Sequence, residues 1–183
     1  MVRYFQVKKC GAEAGTPNKN GDTPVYISAK NGHTDTVRAL VQECGADACT
    51  ADNDGATPVW IAAENGHTET VRALVQECGA YACTTNKNGD TPVWIAAQNG
   101  HTETVRALVQ ECGADASTPN INGATPVWIV ARNGRMETVR TLVQECGADA
   151  CTAKENGNTP VWIAAQNGRA ETVRALVQEW AKK

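Results

Sequence analysis

The sequence predicts an all-α solenoid in which short helix–turn–helix units stack along one axis. Three observations carry that expectation. TPVWIAA begins at Thr57, Thr91 and Thr159, with near copies at Thr23 and Thr125, so one motif returns every 34 residues, the mark of a repeat array. Each copy is bracketed by helix-start and helix-stop residues. Each also carries apolar residues at helical spacing that one unit alone cannot bury. Residues 1–183 therefore read as a single repeat domain. Its repeats are 16–49, 50–83, 84–117, 118–151 and 152–183, preceded by a partial unit, 1–15, whose KKCGAEAG parallels QECGADAC.

The first helix of a unit starts at Thr-Pro. A threonine hydroxyl can accept backbone N–H bonds as N-cap, and proline in the first turn has no donor to leave unpaired. In the second repeat this helix runs over 57–65 and stops at Asn65–Gly66, where glycine can take the left-handed conformation. Val59, Ala62 and Ala63 give it a narrow, small-residue face. HTET then opens the second helix with a threonine and an acid near its positive end. Val71, Leu74, Val75 and Cys78 come next at i, i+3, i+4 and i+7 as an apolar stripe, while Arg72, Gln76 and Glu77 point outward and Glu69 sits three residues before Arg72.

NDGATPVWIAAENGHTETVRALVQECGADACT resembles an ankyrin repeat, with its D-x-x-G-x-T-P-L-H-x-A-A-x-x-G-H pattern and closing G-A-D-x-N. The resemblance covers the whole chain. It implies two layers of helices with β-hairpin fingers projecting from one side, Gly79–Gly89 being one finger. Three departures stand out. The usual ankyrin period is 33, and the added residue around Gln76–Cys78 should lengthen the second helix or loosen its exit. The usual histidine after T-P-L is Tyr26, Trp60, Trp94, Trp128 or Trp162, and an indole donates but cannot accept. The usual asparagine of G-A-D-x-N is Cys49, Cys83, Ser117 or Cys151.

The aromatic column reads as unit-to-unit packing in preference to ligand stacking, because an indole buries a large area. Trp180, which stands where other units have cysteine, is expected to widen the closing helix over the last seam. The eight cysteines read as buried free thiols. Equivalent positions in stacked helices lie roughly 8–10 Å apart, beyond the ~4.4–6.8 Å Cα separation of a disulfide; a pair within a unit, such as Cys44 with Cys49, is left open. His33, His67 and His101 read as helix-start residues, and no zinc-type ligand set occurs. In DNDG the position for a bidentate glutamate holds Ile61, so calcium is not expected.

No nucleophile–base–orienter set or phosphate loop is present, which argues against an enzyme and against a cofactor. The column Arg38, Arg72, Arg106, Arg140 and Arg174 runs beside Glu43, Glu77, Glu111, Glu145 and Glu179. With a net charge of −3, this predicts a neutralised, solvated face and no nucleic-acid partner. The absence of a long apolar run argues against a membrane span. The absence of a secretory signal leads to an expectation of the reducing, intracellular cytoplasm, and the chain is expected to be a monomer.

Function is sought where the copies differ. Repeats 50–83 and 84–117 differ at eight of 34 positions, nearly all in the finger or at the end of the first helix. One row reads Lys19, Asn53, Lys87, Ile121 and Glu155, and a second reads Lys30, Glu64, Gln98, Arg132 and Gln166. The ankyrin resemblance implies that these rows line a concave face binding an unidentified protein partner. Tyr81 and Ile121 are the preferred contacts, since exposed apolar groups mark interaction sites. The alternative is a structural repeat or spacer segment of a larger repeat protein with no dedicated partner.

Overall fold

The computed structural model describes residues 14–181, so most of the partial unit 1–15 lies outside the described residues. The first helices are Pro24–Lys30, Pro58–Glu64, Pro92–Asn99, Pro126–Asn133 and Pro160–Gln166. Each begins as expected, with Thr23, Thr57, Thr91, Thr125 and Thr159 accepting the amide of the aromatic residue three positions on. Gly66 ends the second-repeat helix at φ 74°. Consecutive first helices pack on one another to form the inner layer, and the second helices form the outer layer.

The second helices hold the extra residue of the 34-residue period in an unexpected way. Thr34–Arg38, Thr68–Arg72, Thr102–Arg106 and Met136–Arg140 are α-helical, and each continues as one turn of π-helix: Ala39–Glu43, Ala73–Glu77, Ala107–Glu111 and Thr141–Glu145. The amide of Cys78 bonds to the carbonyl of Ala73, five residues back, at 3.0 Å. The widened turn takes up one residue without lengthening the helix axis by a full α step. Ala170–Trp180 in the last repeat stays α-helical throughout.

Val71, Leu74, Val59, Ala62 and Ala63 are fully buried or nearly so, as the stripe requires, whereas Val75 and Cys78 are only half-buried. Trp60, Trp94 and Trp128 are buried and form part of one continuous core. Their role extends beyond packing. Each indole donates to a backbone carbonyl 30 residues on, in the next repeat: Trp60 to Asp90 at 2.9 Å, Trp94 to Ala124 at 2.9 Å and Trp128 to Asn158 at 3.1 Å. Tyr26 is likewise buried, and its hydroxyl bonds to the Asp52 carboxylate. Trp162 is 46% exposed.

Other columns also bond between repeats. The Nε2 of His67 lies 3.0 Å from the Lys30 carbonyl and that of His101 lies 3.0 Å from the Glu64 carbonyl; because a carbonyl only accepts, both rings donate there. These histidines therefore staple repeats as well as starting helices. Thr34–Thr70, Thr68–Thr104 and Thr102–Thr138 form a ladder of hydroxyl pairs at 2.7–2.8 Å. The arginine column is less solvated than its sequence suggests. Arg38 grips Glu77 with two bonds, 2.7 and 2.8 Å, and Arg72 grips Glu111 with two at 2.8 Å, each reaching into the following repeat. Arg106 does the same to Glu145. Such forks are the strongest geometry open to an exposed ion pair.

Cys49, Cys78, Cys83, Cys112, Cys146 and Cys151 are free thiols, and the described cysteines are not uniformly buried. Cys44, Cys49, Cys78, Cys112 and Cys146 are half-buried, while Cys83 and Cys151 are exposed. Burial pushes the thiols of Cys78, Cys112 and Cys146 up from the ordinary value. No helix among the described residues is long and apolar enough to cross a membrane. The Trp180 side chain lies outside the described structure.

Candidate partner-binding surface

The fingers contain no β-strand among the described residues. They are loops built on an Asx residue instead. Asp52 Oδ1 accepts from the amides of Asp54 at 2.9 Å and Ala56 at 2.8 Å, and Asn86 and Asn120 repeat the pattern. A side chain that bonds to amides two and four residues on closes the loop without a hairpin ladder. Neighbouring fingers are joined by backbone. The amide of Asn53 donates to Asn20, that of Lys87 to Asp54 and that of Ile121 to Asn88, at 3.0–3.1 Å. The approach is close enough that a Cβ on Gly89 would lie 2.8 Å from the Ile121 nitrogen, and Gly89 itself has φ 72°. The backbone of each of these tips is thereby held; the side chains of Lys87 and Ile121 are exposed, while the Asn53 amide donates to the Lys19 carbonyl of the preceding finger at 3.1 Å.

Lys19, Asn53, Lys87, Ile121 and Glu155 are all exposed. In the second row Lys30, Arg132 and Gln166 are exposed, while Glu64 and Gln98 are half-buried. The structure brings part of the two rows together. A pocket of about 360 Å³ lies between the first helices and the fingers of the first three repeats, and its lining includes Lys30, Glu64 and Lys87. A second, of about 420 Å³, includes Gln98 and Arg132. Lys19, Asn53, Ile121, Glu155, Gln166 and Tyr81 line neither pocket.

Tyr81 is 67% exposed and Ile121 68% exposed. Tyr81 occupies the closing turn after the second helix. Asp47, Asp115 and Asp149 at that position accept the amide two residues on and the hydroxyl of Thr50, Thr118 or Thr152. A phenol ring in place of the carboxylate removes both acceptor bonds, which leaves Tyr81 as an apolar group at the surface.

The electrostatics of the groove arise from burial. The Glu64 carboxyl is raised above the ordinary carboxylate value, chiefly by desolvation, with Lys30 opposing and Asp52 adding to the shift. Burial and the bond to Asp52 push the Tyr26 phenol up as well. At the other end the Lys154 ammonium stands 4.7 Å from the centre of the Trp128 ring, within cation–π range. Sequence reasoning passed over Lys154. It could have been noticed as the one break in the Asx column Asn18, Asp52, Asn86 and Asn120. No group of three or more histidine, cysteine, aspartate or glutamate residues is placed to hold a metal ion among the described residues.

The stacked pairs of helices agree with what comparison with known families finds. The family model described as ankyrin repeats (3 copies) matches residues 1–86, 44–120, 78–152 and 112–183, which together cover the chain. The chain belongs to the ankyrin repeat family. Ankyrin repeats are in general protein–protein interaction modules, and the family is typically non-enzymatic. Comparison with curated proteins gives no match. Within this ankyrin array Trp60, Trp94, Trp128, His67, His101, Arg38, Arg72 and Arg106 bond to an adjacent repeat, while most of the residues that vary between copies are exposed.

Proposed function

We propose that this ankyrin array is a non-enzymatic interaction module that holds a protein partner along the groove between fingers and first helices. The observation that carries the reading is the division of labour between columns. Side chains repeated in nearly every unit bond to the next unit, as Trp60 and Arg72 do, whereas most of the side chains that vary are left at the tips and groove. Lys19, Asn53, Lys87, Ile121 and Glu155 act as one contact row and Lys30, Glu64, Gln98, Arg132 and Gln166 as the other, with Tyr81 as an outlying apolar contact. Because the inter-repeat bonds already fix the backbone of the fingers, binding orders little that was mobile. A specific complex of ordinary size needs roughly 800 Å² on each side, which several fingers together can supply.

The test is affinity capture with three proteins: the wild type, a groove variant with Glu64, Lys87, Gln98 and Arg132 changed to Ala and the adjacent Ile121 and Tyr81 changed to Ser, and a control with Gln76 and Gln110 changed to Ala on the outer helices. A partner retained by wild type and control but lost by the groove variant, with helicity unchanged, is the expected result. Capture that survives the groove changes would place binding elsewhere. No specific capture by any of the three would favour a spacer role.

A further inference from the structure

The two groove pockets are the same pocket, two repeats apart. Adding 68 to the residue number carries Tyr26 to Trp94, Asp52 to Asn120, Asp54 to Asn122, Trp60 to Trp128, Ile61 to Ile129 and Glu64 to Arg132, and all of these line their respective pockets. Shape is retained while charge is inverted. The first pocket is lined by Asp52, Asp54 and Glu64 against Lys30 and Lys87. The second is lined by Arg132 and Lys154 with no carboxylate among the described residues. The Lys154 ammonium replaces the amide of Asn86 at the matching position and is steadied on one side by the Trp128 ring, which leaves its other face to the groove. Arg132 differs from the five arginines of the outer helices. Each of those has a carboxylate partner, whereas Arg132 has none among the described residues. Its neighbours Asn120 and Asn133 give their amides to Asp90 and to the Gln98 carbonyl and do not neutralise it. Glu155, the adjacent tip, stands outside the pocket lining.

We propose that the groove is polarised, and that the partner presents carboxylates to Arg132 and Lys154 and cations to Asp52, Asp54 and Glu64. At 8–10 Å per packed helix, the two charge centres on the partner lie roughly 20 Å apart. Complementary potentials of this kind guide association and reject partners of the wrong pattern. The inference rests on the groove being the binding face, and it adds the partner's chemistry.

The test uses the full chain labelled with ¹⁵N and two probes, end-blocked tetraglutamate and end-blocked tetralysine, with the indole N–H signals as the readout. Tetraglutamate is expected to move Trp128 and leave Trp60 in place, and tetralysine to do the reverse. The variant Arg132→Glu with Lys154→Asn introduces residues that the chain already carries at Glu64 and Asn86, so folding is retained. In it tetraglutamate binding should weaken by about tenfold, and tetralysine should begin to move Trp128. The proposal is overturned if both peptides move the same indoles, or if tetraglutamate binds the variant as it binds the wild type. If the peptide pattern fails while partner capture still depends on the groove residues, polarity falls and the groove reading stands. If the pattern holds while capture ignores the groove, polarity stands and the groove reading falls.

Discussion

The outer helices of the inner repeats and of the last repeat use the same words to different effect. ALVQE occurs at 39–43, 73–77, 107–111 and 175–179. In the first three positions, and in TLVQE at 141–145, the backbone opens into a π turn; at 175–179 it stays α. Local propensity cannot explain the difference, since the five residues are identical. The chain immediately beyond them can. In the inner repeats that chain is a Cys-Gly-Ala return, with Gly79 at φ 71° and the amide of Ala80 bonding to the carbonyl of Leu74, six residues back. That closure aims the chain at the next finger, and widening the preceding turn keeps Leu74 buried while the return is made. After Glu179 there are Trp180 and Ala181, and the Ala181 amide bonds to Val177 in ordinary α fashion.

The most drastic way to break this comparison is to give the last repeat a successor. Appending residues 146–183 directly after Glu179 should switch 175–179 to the π form, supply an acceptor for the Trp162 indole and raise Tm, because each added interface contributes a similar increment. Backbone NOE patterns at 175–179 read the switch; an α pattern retained in a folded product would sink the idea that the return loop sets it.

A smaller effect comes from the core. Leu74→Ala should cost about 3–5 kcal/mol and Leu176→Ala about 2–3 kcal/mol, both residues being fully buried but only the first lying between two layers on each side. Denaturant unfolding of the two variants decides it, and equal losses would contradict the layered account. Next come the indoles. Trp60→Phe removes the donor to the Asp90 carbonyl and should cost about 1–3 kcal/mol, whereas Trp162→Phe at the exposed end should stay within about 0.5 kcal/mol. Similar losses at both sites would show that the inter-repeat bond contributes nothing.

The smallest effect is electrostatic. Hydrogen bonds from Arg38, Arg72 and Arg106 hold the carboxyls of Glu77, Glu111 and Glu145 below the ordinary value of 4.5. A depressed folded value means that the stabilisation is fully present above the unfolded value and is lost as pH falls through the folded one. Carboxyl ¹³C titration should therefore place Glu111 below 4.5, and Arg72→Gln should return it there. A Glu111 midpoint at or above that value in the wild type would refute the clamp.

Much of the architecture was legible before any coordinates. Thr57, Pro58 and Gly66 announce where the first helix begins and ends through bonds that close within four residues, and the 34-residue period announces the stack. The two rows of varied residues were legible too, because variation between internal copies needs no structure to be seen. Other features were hidden. The bonds from Trp60 to Asp90, from Thr68 to Thr104 and from Arg72 to Glu111 span 30, 36 and 39 residues, and each crosses from one repeat into the next. The finger was expected to be a hairpin by family likeness, yet the Asx residues Asp52, Asn86 and Asn120 close it as a loop.

The sequence by itself determined the period, the two helices per unit, their caps and the positions free to vary, because those depend on short-range backbone chemistry and on apolar spacing along one helix. Only the tertiary structure decided which of two forms ALVQE takes, which side chains are tied up between repeats, and that Glu64 and Arg132 stand in matching pockets of opposite charge. The ties between repeats and the paired pockets depend on what the stacked neighbouring unit places within about 3 Å, while the form of ALVQE depends on whether a return such as Gly79–Ala80 closes back onto Leu74.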